Sequence, residues 1–275
     1  MNFHCAINEK EKLAWRGGAP VLSTRVVAEE KAVALTYCGS TYAVMMATPD
    51  DLEDFGRGFS ITEGIVERPE QIDSIEVLGN DFGIEVRMWL HENRDRTLAA
   101  RRRAIAGPVG CGLCGIESLE QACPAPRRVN SDQKFMARDL LNAVGALPPL
   151  QRLNQKTRAM HAAAFWSPTT GIAELREDVG RHNALDKLAG AMIRDAVPCA
   201  SGAILLTSRV SVEMVQKTAM IGAPVLVAVS APTSLAIEVA EQAGITLIAV
   251  AREDGYEVFT HPDRIVFTEG RPVAA

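Results

Sequence analysis

The sequence predicts an α/β protein, α+β overall, with a smaller strand-rich N-terminal domain ahead of a layered α/β domain. Three observations predict it. The second half alternates short continuous apolar runs with helical periodicity, the pattern of a parallel sheet buried on both faces. The first third instead shows short strand-like runs separated by turn residues. The chain also has 275 residues, 47% of them hydrophobic, which is enough for two cores.

The elements follow in order. Met1–Leu13 carries no apolar period and is expected to be disordered. Ala32–Tyr37 and Thr41–Ala47 flank Cys38-Gly39-Ser40 and read as a hairpin. Thr48-Pro49-Asp50-Asp51 reads as a helix start, with Thr48 as N-cap, proline in the first turn and two carboxylates at the positive end. Leu52, Phe55 and Phe59 then share a face. Ser74–Leu78 and Gly83–Leu90 form a second expected hairpin around Gly79-Asn80-Asp81. Arg101-Arg102-Arg103 leads into Gly107–Gly115, where four glycines and a proline in nine residues predict a loop.

Farther on, Leu185, Leu188, Ala189, Met192 and Ile193 form an amphipathic stripe, which places Asp186, Lys187, Arg194 and Asp195 off the buried face. Ala203–Thr207, Pro224–Ser230 and Ile245–Ala251 read as strands. Ser211–Ile221 and Thr233–Ala243 read as the helices between them, with Gly244 at a C-cap. The domains expected are 1–107 (strand-rich), 108–130 (glycine-rich loop and linker) and 131–275 (α/β).

Composition limits the function. The net charge of −5, from 34 acidic and 29 basic residues, disfavours general nucleic-acid binding. No apolar run reaches the roughly 18 residues of a membrane helix, and Met1–Lys12 has no secretory pattern. Cytoplasm is therefore the expected location. Six cysteines in a chain of this length do not make a disulfide scaffold. Cys5, Cys38 and Cys199 stand apart and read as structural or incidental.

Cys111 and Cys114 form a Cys-x-x-Cys pair with four readings. A zinc site would need two more ligands, from Cys123, His161 or His182, and none lies in a matching second knuckle. A thioredoxin-like pair wants the first cysteine at a helix start directly after a strand. Inert thiols fit poorly beside so many glycines. Sulfur carriage wants a lowered thiol pKa, which the arginine run could provide, together with a loop that reaches and a second thiol that helps release the sulfur. Taken alone, the pair leaves these readings open.

Several blocks together resemble the formate dehydrogenase accessory sulfurtransferase family, the FdhD-type proteins. They are Phe59–Ile65, Gly110-Cys111-Gly112-Leu113-Cys114-Gly115, His161-Ala162-Ala163, and Glu177–Lys187 with Gly180-Arg181-His182-Asn183 at its centre. Ser208–Lys217, Val229–Ala236 and Tyr256–Arg264 follow in the same order. The resemblance implies a sulfurtransferase that takes sulfur from a cysteine desulfurase as a persulfide on Cys111, with Cys114 as its partner. It implies delivery to the molybdenum bis(molybdopterin guanine dinucleotide) cofactor of formate dehydrogenase. It further implies a cytidine-deaminase-like three-layer C-terminal domain, a homodimer, and cofactor contact at Val250, Ala251, Arg252, Glu253, Asp254 and Gly255.

Pyrophosphates of such a cofactor would suit helix starts. Arg181, His182 and Asn183 open one helix, and Ser230 and Thr233 open another just after a strand end. Each also has a plain reading as a cap. His161 is a further candidate. Zinc deaminases need a glutamate two residues after that histidine and a cysteine pair after it in the chain. Here Ala163 stands in the glutamate's place and the pair precedes the histidine, so deamination is disfavoured. Arg158 and Ala159 stand where the family often has glycine, so Arg158 is expected to reshape that wall or hold a phosphate. The competing functions are a non-catalytic molybdenum-cofactor chaperone with a zinc-bound or inert cysteine pair, and a nucleotide-binding α/β enzyme of another class.

Overall fold

The computed structural model describes residues 5–91 and 125–267. Cys111, Cys114, Cys123 and Arg101–Arg103, and with them the predicted loop and the boundary at 107/108, lie outside the described residues. Cys5, Cys38 and Cys199 are free thiols.

The chain opens with an antiparallel ribbon, β1 (Ile7–Arg16) and β2 (Ala19–Ala28). This corrects the expected disorder over most of the first 13 residues. The strand was hidden because Asn8 to Lys12 are all polar and show no alternation. Next come β3 (Lys31–Tyr37) and β4 (Ser40–Ala47), joined at Cys38 and Gly39, both with positive φ. This is the left-handed geometry that suits a two-residue hairpin turn. Helix α1 (Leu52–Thr62), then β5 (Ile72–Asn80) and β6 (Gly83–Leu90), complete a four-stranded sheet of order β4-β3-β6-β5. Phe55 and Phe59 of α1 pack on Val33, Leu35, Tyr37, Val86 and Met88, as the apolar spacing requires.

Helix α1 starts later than the sequence predicts. Asp51 is its N-cap, in a left-handed conformation without a side-chain cap bond. Thr48 is fully buried instead, and its hydroxyl accepts from the Val179 N–H at 3.1 Å. A partner 131 residues away in the chain has overridden a sound local capping signal.

The second unit begins with β7 (Phe135–Met136), α2 (Ala137–Gly145) and α3 (Arg152–Thr157). It continues through β8 (His161–Ser167), β9 (Gly171–Asp178), α4 (Arg181–Arg194), β10 (Ala203–Leu206), α5 (Val212–Ile221), β11 (Val225–Ala228) and α6 (Ser234–Ala243). The last strands are β12 (Thr246–Arg252), β13 (Gly255–Val258) and β14 (Ile265–Val266). The main sheet has the order β13-β12-β11-β10-β8-β9, in which β10, β11 and β12 run parallel and the other pairs antiparallel. Ile204, Leu206, Leu226 and Leu247 meet α4, α5 and α6 on one face. Leu205, Val227 and Ile248 meet Leu140, Ala143 and Val144 of α2 on the other. The result is three layers, helix, sheet and helix, as expected.

The two units are welded where α1 crosses α4. A Cβ on Gly58 would lie 1.8 Å from the Asp186 carbonyl oxygen, and one on Gly190 would lie 1.9 Å from that of Asp54, so backbones touch where side chains would normally stand. Charged groups fill the rest of the seam. Asp54 accepts from Arg176 at 2.9 Å and from Arg194 at 2.6 Å. Asp186 accepts from Thr62 at 2.5 Å and from Lys217 at 2.9 Å. Lys187, with no exposed surface, lies 2.7 Å from Asp178 and donates to the Thr48 carbonyl at 2.8 Å. Asp186 and Lys187 are therefore buried, which corrects the expectation that they face solvent. The stripe locates the face turned to the sheet, but α1 and α5 cover the opposite face as well.

Candidate functional site

A parallel run of strands ends at one sheet edge, and its loops must gather there. Backbone bonds tie those loops together. Val229 N–H donates to Leu206 O at 2.9 Å, Val210 N–H to Ala231 O at 3.2 Å, and Val250 N–H to Ser230 O at 3.2 Å. Because β8 runs antiparallel to β10, it begins at this same edge, with His161 as its first residue and Ala162 N–H donating to the Thr207 hydroxyl at 2.9 Å. Strand β9 pairs Asp178 with His161 and ends there too, just before α4. The fold thus brings His161, Arg181–Asn183, Ser230, Thr233 and Val250–Gly255 to one edge. They fall in two groups, His161 with Arg181 to Asn183 on one side, and the β12 end on the other.

The first group is cationic and water-poor. Burial lowers the His161 pKa and the neighbouring Arg181 lowers it further, against Asp178. Burial, then Arg181 and Lys217, push His182 down to about 4, so its imidazole is neutral at pH 7. Gly180 caps α4 without a side-chain bond, which leaves the first N–H groups of that helix for an anion. Three buried side-chain nitrogens beside it, Arg181 Nε, His182 Nε2 and Gln216 Nε2, have no hydrogen-bond partner among the described residues. Buried polar atoms are nearly always satisfied, so such a cluster marks a place for a polar ligand. Asn183, by contrast, is used internally, donating to Met46 O at 2.9 Å and to Asp178 at 3.0 Å. It positions the turn.

In the second group, Val250 has a φ of 54°, a costly conformation for a β-branched residue, at the register shift in β12. Strain of this kind collects at functional sites. Arg252 donates back to the carbonyls of Val229 and Ala251, and Glu253 and Asp254 are the exposed tip of the β12–β13 turn. The Thr233 hydroxyl accepts from Ala236 N–H at 3.2 Å, which is the plain N-cap reading. Ser230 is half-buried beside it. Arg158 is exposed, with a φ of 59° at the C-cap of α3. Glycine is the natural residue at such a cap. A glycine at this position would be accounted for by backbone conformation, without any ligand contact.

Sequence reasoning gave no role to α5. Ser211 opens it, Glu213 follows in its first turn beside His182 and Arg181, and Gln216 comes one turn later. Burial raises the Glu213 pKa, but the Ser211 hydroxyl, the residue's own N–H and the nearby cations outweigh it and hold the carboxyl below its usual range. The available signal was position, since a helix start directly after a parallel strand lies at the ligand edge. Among the described residues no three His, Cys, Asp or Glu side chains cluster as metal ligands. Two grooves, of about 290 and 400 Å³, lie elsewhere. The larger is lined by Asp50, Asp51, Glu174 and Glu177, the wrong sign for a phosphate.

Comparison with known proteins agrees with this architecture. A protein described as sulfur carrier protein FdhD from Agrobacterium fabrum is 52% identical over 256 residues, covering 93% of this chain and 94% of that one. A Cupriavidus necator protein of the same description is 50% identical over 251 residues, covering 91% and 87%. The crystal structure of a formate dehydrogenase accessory protein from Desulfotalea psychrophila superposes with a TM-score of 0.73 over 95% of this chain and all of the other, at 24% identity. The FdhD/NarQ family model matches residues 28–266, and the chain belongs to that family.

Proposed function

We propose that this protein carries sulfur from a cysteine desulfurase to a molybdenum bis(molybdopterin guanine dinucleotide) cofactor, bound as substrate and destined for formate dehydrogenase. The observation that carries the reading is near full-length identity of about half to relatives described as sulfur carriers. The Cys111 thiolate attacks the outer sulfur of the donor persulfide. A new S–S bond forms, the donor S–S bond breaks, and the donor cysteine leaves as a thiolate. The terminal sulfur then rests on Cys111 for delivery. Cys114 is the helper: its thiolate attacks the Cys111 sulfur, releases hydrosulfide and leaves a Cys111–Cys114 disulfide for a cellular thiol to reduce.

The cationic edge supports the cargo. Arg181 and the first N–H groups of α4 would hold a pyrophosphate, with His161 and His182 as neutral neighbours and Gln216 as a donor. Val250–Gly255 and Ser230 would line the second group of contacts, and Asn183 and Thr233 shape the turns that present them. No described helix is long and apolar enough to span a membrane. A soluble cytoplasmic protein working as two copies fits this role.

The test incubates the protein with a cysteine desulfurase and cysteine and reads intact mass. A gain of one sulfur that disappears in Cys111→Ala is expected. No gain, with guanine-dinucleotide binding intact, would favour the non-catalytic chaperone. Binding of GDP should weaken in Arg181→Ala, and unchanged binding would remove the edge from the proposal.

A further inference from the structure

The β1–β2 ribbon turns at Gly17 and Gly18, and around that turn, from Leu13 to Leu22, Arg16 is the single charged side chain. Successive residues of a strand point to opposite faces. Leu13, Trp15, Pro20 and Leu22 therefore share one face, and Ala14, Ala19 and Val21 lie on the other with Arg16. Leu13 is 67% exposed, Trp15 75%, Leu22 81% and Val21 45%. An antiparallel strand with one wet face normally alternates polar with apolar residues. This tip is apolar on both faces, a pattern that suits surroundings able to enclose it.

Below the tip, cations gather. Lys10 and Lys12 share the face of Arg16, and Lys10 stands directly across from Arg25. Like charges in that position destabilise a strand pair, and none of these four groups forms an ion pair among the described residues. Glu9 and Glu11 point to the opposite face. Four basic side chains thus face two acidic ones in the ribbon, whereas the whole chain has a net charge of −5.

We propose that the ribbon tip docks on an anionic lipid bilayer, with Leu13, Trp15 and Leu22 in the acyl boundary and Lys10, Lys12 and Arg16 among the headgroup phosphates. A flat protein surface would cover one face of the ribbon and leave either Trp15 or Val21 wet. Lipid surrounds both. An exposed tryptophan with apolar neighbours above a basic flank is the layering of an interfacial contact, and the unpaired cations supply the attraction to anionic headgroups. The depth also fits. Leu13 to Arg16 spans about 10 Å, as far as interfacial segments reach. The outer edges of a two-stranded ribbon carry unpaired N–H and C=O groups, which are costly in hydrocarbon but find water and phosphate at the headgroup level. At the root of the ribbon Arg25 donates to the Thr157 carbonyl at 3.3 Å, at the end of α3, and β8 begins soon after at His161. The docking element is thus anchored beside the segment that leads into the candidate edge.

Flotation of the full chain with lipid vesicles tests this, with circular dichroism confirming the fold of each variant. The protein should float with vesicles of phosphatidylcholine containing about one-third phosphatidylglycerol, less so as salt rises, and should not float with phosphatidylcholine alone. Leu13→Ser/Trp15→Ser/Leu22→Ser should weaken binding roughly 100-fold, and Lys10→Gln/Lys12→Gln roughly 30-fold. A second readout does not depend on destabilised variants. Trp15→Phe keeps an aromatic ring at the tip, so it should still float but lose the blue shift that vesicles cause in tryptophan emission. Trp89→Phe and Trp166→Phe, at the chain's other two tryptophans, should keep that shift. Absence of flotation on anionic vesicles, flotation retained in the serine variant, or a blue shift that survives Trp15→Phe overturns the proposal. So does a wild type that stays off vesicles but sediments as an assembly dissolved by the serine variant, because protein then covers the tip.

Discussion

Gly190→Ala should damage this protein far more than a methyl group suggests. The added Cβ would lie 1.9 Å from Asp54 O and 2.6 Å from Asp54 C, both backbone atoms that no rotamer change can move. Real Cβ contacts stay above 3.0 Å, so α1 and α4 must part by more than 1 Å. Such a shift reaches Asp54, whose bonds to Arg176 and Arg194 are now 2.9 and 2.6 Å long, and it strains the Thr62–Asp186–Lys217 cluster beside it. Overpacking costs about 1–3 kcal/mol, and weakening two bonds to charged groups adds about 1.5–3 kcal/mol each. The better helix propensity of alanine returns about 1 kcal/mol. The net expectation is a loss of about 3–8 kcal/mol, which even at its low end is roughly 6–12 °C in Tm for a chain of this size. Urea and thermal unfolding followed by circular dichroism measure it. Gly145→Ala is the control, because a Cβ there meets nothing within 4 Å, and Tm should hold or rise slightly. A Gly190→Ala protein within about 2 °C of wild type would refute the backbone weld.

Other outcomes follow from the same seam and edge. Lys187→Met leaves the Asp178 carboxylate in a dry site without its counter-charge, although Thr48, Gly180 and Asn183 still donate to it, and should cost about 3–5 kcal/mol by urea unfolding; a smaller loss would mean that water reaches it. His182 has its folded pKa depressed to about 4, so its contribution is present above about 6.5 and is lost as pH falls through 4. Asp186, one turn along, is raised to about 6 and works oppositely, its contribution present below about 3.8 and lost as pH rises through 6. His182→Gln should therefore remove about 1–2 kcal/mol of acid lability between pH 7 and 4, and an unchanged pH dependence of the urea midpoint would show that His182 is not desolvated. Arg158→Gly should raise stability by about 1 kcal/mol, seen as a small rise in Tm, because it relieves a left-handed cap.

The β10–α5–β11–α6–β12 run was readable because each element announces itself locally. Short apolar strands alternate with helices whose ends carry Ser211, Thr233, Gly222 and Gly244 at caps. The sequence failed where the partner lies far along the chain. Thr48 looks like an N-cap until Val179 takes its hydroxyl, and Asp186 and Lys187 look solvated until α1 and α5 close over them. The polar stretch of β1 carries no period because solvent borders both its faces. Strand-to-helix order placed Arg181 and Ser230 at this sheet edge, whereas Val250 was named through the family resemblance. Glu213 was missed because its neighbours His182 and Arg181 come from a different helix, and Gln216 lies one turn farther along the same α5.

The same seam that defeats local reading also connects the two ends of the proposed site. Helix α4 carries Arg181 and His182 at the ligand edge, then Asp186 and Lys187 in the weld, then Gly190 against α1. Helix α5 carries Gln216 toward the edge and Lys217 into the weld, where it reaches both Asp186 and Glu63. A buried ion pair adds little net stability over apolar packing of similar volume, so these groups are poorly explained as glue. They do fix the rotation of α4 and α5, because a slip of either helix would strand a charge in a dry seam. That rotation fixes where Arg181 and His182 of α4 stand relative to Glu213 of α5. Conservative loss of the weld, as in Lys217→Met, should therefore weaken GDP binding along with stability, whereas Lys134→Met, an exposed cation on the far side of the unit, should change neither. Intact GDP affinity in a folded Lys217→Met protein would separate the weld from the site.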